Sequence, residues 1–507
     1  MFRLAAALAL VLAVPASAAA APAFPLGVSA GEVRAESAVL WTSVARSGTI
    51  WAEVSADRRF RGMPAARVRV PTARVGALVG QRRVAALAPA RRYWYRFRQG
   101  RALSPVGSFR TAPRPGASVR VRFAYTGDAD GTRDPRTGRP AYNGFEVYGR
   151  MAAEGNDFNI NLGDTIYSDS EVGGVPPALT VAAKAAKYRE NLGFLPLRRL
   201  RAATGLYSHW DDHEFINDFT LPEHGAAVFA AGRTAFAAYA PVAAWTPALG
   251  LYRSVRWGRT LELFFLDERS FRSAKARAVC RDDLAPTAPQ SVRNAFTAIA
   301  PGLAQPVDPA CLAAINDPGR TMLGARQYAA FTRAIAASTA TWKVVVNEVP
   351  IQQFYALPYD RWEGYAAERE RLLAFLQQRV RNVVFLTTDT HANFVNEIRL
   401  RSLDPAGPGG TGIWEVITGP VATNSYSREV DEAIGVPGAG AAITGLFLKV
   451  PPPRGPGMAC AAPDVYSYAQ VVATSSTLTV TPKDAQGRLV REPTGGPCGP
   501  FVFRAAR

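Results

Sequence analysis

The chain holds few of the residues that mark common catalytic centres: four histidines, four cysteines and five methionines among 507 residues. No two cysteines are spaced as C-x-x-C, so neither a zinc knuckle nor a thioredoxin-like redox motif is indicated. G-x-S-x-G and H-E-x-x-H are both missing, which argues against a lipase or a zinc protease. No internal repeat is visible. Beyond the N-terminus no apolar run is long enough to cross a bilayer, so no membrane span is expected. Acidic residues are the scarcer charge, 41 against 59 Lys plus Arg, for a formal net charge of +18. The arginines are spread along the sequence, without a basic stripe or a docking motif. A stable nucleic-acid complex is therefore not expected, and some steering of anions is.

What is present begins with "MFRLAAALALVLAVPASAAAAPAF". One arginine, an apolar run and the small residues Ala16-Ser17-Ala18 predict a signal peptide over residues 1–20, cleaved near Ala18. The mature protein is expected to be secreted or periplasmic, and a monomer. Export suits Cys280, Cys311, Cys460 and Cys498 as disulfides. Four cysteines allow three pairings, of which chain order favours Cys280–Cys311 and Cys460–Cys498.

Residues 24–113 read as short β-rich runs separated by turn residues, which predicts a small β-sandwich. "LAPARRYWYRF" is similar to the turn and penultimate strand of a fibronectin type III-like module, and 111–118 reads as a linker. From Val119 onward buried-type strands alternate with helical stretches, the pattern of a layered α/β or α+β domain over 119–507. Residues 273–320, with two cysteines and many Pro, Ala and Asp, read as an ordered insertion, and 437–460 as irregular.

The polar residues that follow the apolar strands form one set. "FAYTGDADG" supplies Asp128 and Asp130, and "NINLGDTIY" supplies Asp164 and Tyr167. "YSHWDDHEFIND" supplies Asp211, Asp212, His213 and Asn217; "VVFLTTDTH" supplies Asp389 and His391. In an open α/β sheet the C-terminal strand ends meet in one crevice. Carboxylates gathered there repel one another unless cations intervene. Asp, Asn, Tyr and His suit oxygen-loving metals, and two adjacent metals suit in-line attack of a bridging hydroxide on phosphorus.

The elements "FPLGVSAGEV", "GDTIY", "WDDHEFIND", "FLDERSFR" and "TDTH" resemble the alkaline phosphatase D (PhoD-like) family of calcineurin-like metallophosphoesterases. The resemblance implies a β-sandwich followed by a four-layer αββα domain. It implies an exported, metal-dependent phosphoric ester hydrolase acting on phosphomonoesters or phosphodiesters, among them phospholipids or phosphorylated polymers. By resemblance Asp164 bridges the metals and Tyr167 ligates one of them. Asp211 or Asp212 and Asn217 serve the other region, Asp389 and His391 close the site, His213 donates a proton to the leaving group or holds the phosphate, and Arg269 contacts phosphate or braces the site. The family uses calcium with iron. Here Asp128 stands where the family keeps a cysteine ligand, and a carboxylate favours harder ions, which leaves manganese or zinc open.

Blander readings stand beside these. Asp128 and Asp164 are also ordinary turn formers. His209 suits packing better than catalysis, and Asp267 with Arg269 suits a structural ion pair. A phospholipase D-like activity on the same site, or a non-catalytic polyanion-binding role, are the alternative functions.

Overall fold

The computed structural model describes residues 22–506 apart from 243–244 and 405–408. The expected signal peptide and its cleavage site lie outside the described residues.

Two sheets face each other. In the first, Val121–Thr126, Phe158–Leu162 and Gly205–His209 run parallel at the centre. Ser467–Ala473, Thr477–Asp484 and Phe501–Arg504 extend it on one side. In the second, Leu261–Phe265, Trp342–Asn347, Val383–Thr387 and Gly410–Ile417 are parallel. The inner faces share one core, in which Phe123, Tyr125, Phe158 and Ile160 meet Val255, Leu263, Val344, Val346 and Leu386. Strands covered on both faces explain the unbroken apolar runs in the sequence.

Helices close the outer faces. Glu146–Ala153, Val181–Asn191, Leu195–Ala203 and Leu221–Tyr239 bury Tyr148, Leu200 and Phe236 against Ala124 and Leu206 of the first sheet. Gly324–Ala337 and Ala366–Arg379 cover Phe264, Val345 and Phe385 of the second. The result is the expected four-layer αββα arrangement.

The N-terminal strands are less separate than a linked sandwich suggests. Ile50–Ser55, Ala66–Val70, Arg92–Gln99, Ala102–Leu103 and Gly107–Arg110 form a sheet of their own. The opposing strands Val28–Gly31, Ala38–Val44, Thr72–Val75 and Ala77–Val84 instead continue the first large sheet, through parallel pairing of Ala30 with Gly205. Backbone hydrogen bonds in register hold the two regions together, a contact that no local sequence pattern encodes. Residues 439–448, read as irregular, form a short α-helix and a π-helical turn. Ile443, Phe447 and Leu448 are buried there beside Tyr355 and Tyr426.

The cysteines pair as Cys280–Cys311 and Cys460–Cys498. Among the described residues no helix is long and apolar enough to cross a membrane.

Candidate metal centre

The C-terminal ends of the parallel strands of both sheets converge on one cleft of about 490 Å³. Two hydrogen bonds join the sheets at its floor. Thr388 Oγ1 donates to the Leu162 carbonyl at 2.7 Å, and the Asp389 N–H donates to Asp128 Oδ1 at 3.2 Å.

Three of these strands leave their sheets through strained turns. Asp128, Asp164, Asp389 and His391 have φ of 62°, 45°, 68° and 53°, a region L-residues seldom occupy. Gly163 precedes Asp164 with φ 82°, and a Cβ there would sit 2.5 Å from the Asp211 Cβ. Glycine is thus what lets two carboxylate-bearing turns approach each other. Glu214 ties them: it accepts the N–H groups of Asp164 at 3.1 Å, Thr165 at 2.7 Å and Asp211 at 2.8 Å.

The turns place donor atoms in overlapping sets. Asp128, Asp164 and His391 form one; Asp164, Asp212 and His213 a second; Asp211, Asp212 and Asp389 a third; Asp212, Asp218 and Asp360 a fourth. Within each set the ligand atoms lie within 4.8 Å of one another. Asp164 and Asp212 belong to more than one set, as ligands shared between neighbouring cations would.

Burial and mutual repulsion make these carboxylates poor anions by themselves. Burial, with Asp211 nearby, pushes Asp128 to about 7 despite the opposing pull of His391. Burial, only partly offset by Arg269, raises Asp211 to about 6, and Asp164 and Asp389 lie well above the usual carboxylate range. Asp128 Oδ2 and Asp211 Oδ2 are buried without a hydrogen-bond partner. Unpaired buried charge of this kind is costly unless a cation completes it, so the residues fit bound metal ions.

The histidines are fixed from behind. His213 stacks on Tyr167 with ring centroids 4.0 Å apart, and its Nδ1 lies 2.7 Å from Asp169 Oδ1. Burial opposes protonation of His213, but Asp169, Asp164 and Asp212 together hold its pKa well above the ordinary value. His391 Nε2 lies 2.9 Å from the Tyr167 hydroxyl, and its Nδ1 lies 2.5 Å from Glu429. Glu429 outweighs burial and raises His391 to about 9.

Arg269 is fully buried beneath the acids. It pairs with Asp211, with Asp360 at 2.8 Å, and with Asp212 and Asp389 at 3.6 Å each. Nε and Nη1 are hydrogen-bonded to Asp211 and Asp360, the geometry of a brace, while Nη2 is buried without a hydrogen-bond partner beside Asp212 and Asp389. Asp267 is not its side-chain partner: it accepts from Leu251 N at 2.7 Å and from Ser270 Oγ at 2.7 Å.

One sequence-predicted ligand stands apart. Asp130 accepts from Ser170 Oγ at 2.5 Å and Thr132 N at 2.9 Å, outside the donor sets. Asn217 is exposed at the cleft rim, and its backbone N–H donates to Asp169 at 2.7 Å. His209 is sealed against Glu348 at 3.2 Å, below the cleft.

Sequence reasoning passed over Asp169, Asp360 and Glu429. Asp169 lies in the same stretch as Asp164, five residues on. Asp360 and Glu429 sit in segments without strand-end patterning, so no local signal marks them.

Residues 138–443 match the PhoD-like phosphatase family, and residues 9–113 match its N-terminal domain. Alkaline phosphatase D of Bacillus subtilis (strain 168) is 27% identical over 425 residues, covering 74% of this chain and 66% of that protein, just under two thirds of its length. A solved structure of PhoD superposes with a TM-score of 0.71 at 22% identity, covering 96% of this chain and 90% of that one. The purple acid phosphatase PPD1 of yellow lupin shares the fold more distantly, with a TM-score of 0.56 at 11% identity over 92% of this chain and 74% of that chain. With the αββα layers and the acidic cleft where its strand ends meet, these matches establish that the chain belongs to the PhoD-like phosphatase family.

Proposed function

We propose that this chain is an exported, metal-dependent phosphoric ester hydrolase. The observation that carries it is the overlap of the donor sets at Asp164 and Asp212, with buried carboxylate oxygens left unpartnered beside them. Asp128, Asp164, Asp211, Asp212, Asp389 and His391 would hold the ions. The all-oxygen and imidazole donor set, with Asp128 in a position without thiolate, favours manganese, zinc or calcium over an iron site built on cysteine. Bound cations would neutralise the carboxylates, polarise the phosphoryl oxygens and acidify water.

The protein's own groups do the rest. His213, oriented through Nδ1 by Asp169, presents Nε2 to protonate the leaving oxygen. Tyr167 holds His213 by stacking and His391 by hydrogen bonding. Arg269 positions Asp211, Asp212 and Asp389 rather than touching phosphate. Residues 24–113 and 119–507 are the two domains we assign, with 273–320 as an insertion whose Arg277, Asp282 and Leu284 wall the cleft.

One observation favours diesters carrying an apolar group. An apolar recess lined by Val292, Phe296, Tyr355 and Phe447 shares Leu284 and Leu357 with the cleft. A p-nitrophenyl phosphodiester with an alkyl chain should then give a higher kcat/KM than p-nitrophenyl phosphate.

The test is metal content by plasma mass spectrometry, with hydrolysis of bis-p-nitrophenyl phosphate before and after chelation. Stoichiometric metal and chelator-sensitive turnover, both lost in Asp164→Asn, are expected. Near-normal turnover of Asp164→Asn would overturn the assignment.

A further inference from the structure

The sequence shows no basic stripe, yet the fold assembles one. Residues 22–120 contain eighteen arginines, no lysine and only four acidic residues, Glu32, Glu36, Glu53 and Asp57, a formal +14 of the chain's +18. What is concentrated there is less the arginine than the scarcity of acid.

Strand alternation sorts these residues. Ile50, Ala52, Val54, Tyr95 and Phe97 point into the sandwich core, and their neighbours point out. Register then sets Arg69, Trp51 and Arg98 abreast across three antiparallel strands, with Arg67, Glu53 and Arg96 in the next row. Trp94, paired with Ser55, continues the same face. Arg67 and Arg69 are exposed, and Trp51, Trp94, Arg96 and Arg98 are half-buried.

Glu53 is shared. It accepts from Arg96 Nε at 2.8 Å and Arg98 Nε at 2.9 Å, and Arg67 Nε lies 4.0 Å away. Burial opposes its ionisation, but the bonds from Arg98 and Arg96 hold it below the usual carboxylate range. Three guanidinium groups thus face one carboxylate. Two of them lie over aromatic rings: Arg67 is 4.7 Å from the Trp51 ring centre and Arg96 is 4.2 Å from that of Phe60. A guanidinium laid on a ring keeps its N–H fork free at the edge.

We propose that this outer sheet face binds single-stranded nucleic acid. Its arginine forks would take successive phosphates, and Trp51 and Trp94 would pack against bases and sugars. Leu103, which pairs with Arg98 at the end of one row, is an exposed aliphatic side chain, but a single such residue gives little apolar area for insertion among lipids, which favours a nucleic acid over a membrane. The expectation of no stable nucleic-acid complex rested on the lack of a contiguous basic run. Here three strands supply the charge, so the sequence shows no run. None of these residues lines the catalytic cleft, so the inference stands apart from the hydrolase assignment.

The test is fluorescence anisotropy of a labelled oligothymidylate of about 20 nucleotides, long enough for one platform. The titrant is full-length protein carrying Asp164→Asn, with chelator, so that the probe is not consumed. Binding should weaken steeply with salt, and Arg67→Glu/Arg69→Glu should weaken it about tenfold or more. Trp51→Ala should weaken it about threefold or more. Arg82→Glu/Arg83→Glu makes the same charge change on exposed residues of Ala77–Val84 and should alter affinity less than about twofold. Equal losses in the two arginine pairs would show bulk charge alone and overturn the proposal. So would no binding, polyphosphate binding as tightly with Trp51→Ala silent, or binding to phosphatidylglycerol vesicles in place of the oligonucleotide. In an otherwise wild-type background the face variants should hydrolyse bis-p-nitrophenyl phosphate normally, which separates this outcome from that of the hydrolase assignment.

Discussion

His213 Nδ1 and Asp169 Oδ1 lie 2.7 Å apart, with the other oxygen of Asp169 held by the Asn217 N–H at 2.7 Å. Asp169 therefore fixes which nitrogen of His213 faces the cleft and stabilises its protonated form. If His213 gives a proton to the leaving group, kcat falls as pH rises through its pKa. Asp169→Asn removes the charge that raises that pKa, so the alkaline limb of the kcat profile should move to lower pH. At pH 8 the variant should lose about 10–100-fold in kcat. His213→Ala should lose as much with no limb to shift. A profile identical to wild type would leave Asp169 with a structural role only.

Metal-free protein should be less stable at pH 8 than at pH 5. Asp128, Asp164, Asp211 and Asp389 have folded pKa values raised above their unfolded ones, about 7 for Asp128 and about 6 for Asp211. Their contribution is complete below the unfolded value near 4 and is lost as pH rises through the folded values. His213 and His391 are raised too, so they act in the same direction. Adding manganese should restore stability at pH 8, since ligands that bind only the folded state stabilise it. Thermal midpoints with and without chelator at both pH values measure this; a chelated midpoint that rises with pH would contradict it.

Arg269→Met should destabilise the protein by about 3–5 kcal/mol, because it leaves two buried and two partly buried carboxylates without their brace. Arg269→Lys keeps the charge but not the fork, and should recover only part of the loss. Urea unfolding of the chelated proteins reads this directly. An unchanged midpoint with reduced kcat would mean that Arg269 serves phosphate instead.

Gly163→Ala should cost at least about 1–2 kcal/mol, from the positive φ and from contact with the Asp211 Cβ. Relief of that contact has to move Asp164 or Asp211, so metal affinity should fall about tenfold or more. Isothermal titration with manganese distinguishes a shifted site from a merely destabilised fold.

Much of the site was legible because strand ends are a local signal. Asp128, Asp164, Asp211, Asp212, Asp389 and His391 each follow an apolar run directly, and the topology of parallel strands brings such ends together. Asp130 and Asn217 share that local pattern, yet the turn carries Asp130 into hydrogen bonds with Ser170 and Thr132 and leaves Asn217 at the rim. Asp360 and Glu429 reach the cleft from segments that only packing brings near.

By itself the sequence determined the order of strands and helices, the acidic strand ends and the four cysteines, all of which rest on local spacing. Tertiary structure alone decided three further things. It made the N-terminal strands continuous with the catalytic sheet, since Ala30 and Gly205 pair across 175 residues. It buried Arg269 among four carboxylates, since its partners come from three separate segments. It gathered scattered arginines onto one face, since in a sheet the neighbours of a side chain lie across strands and not along them.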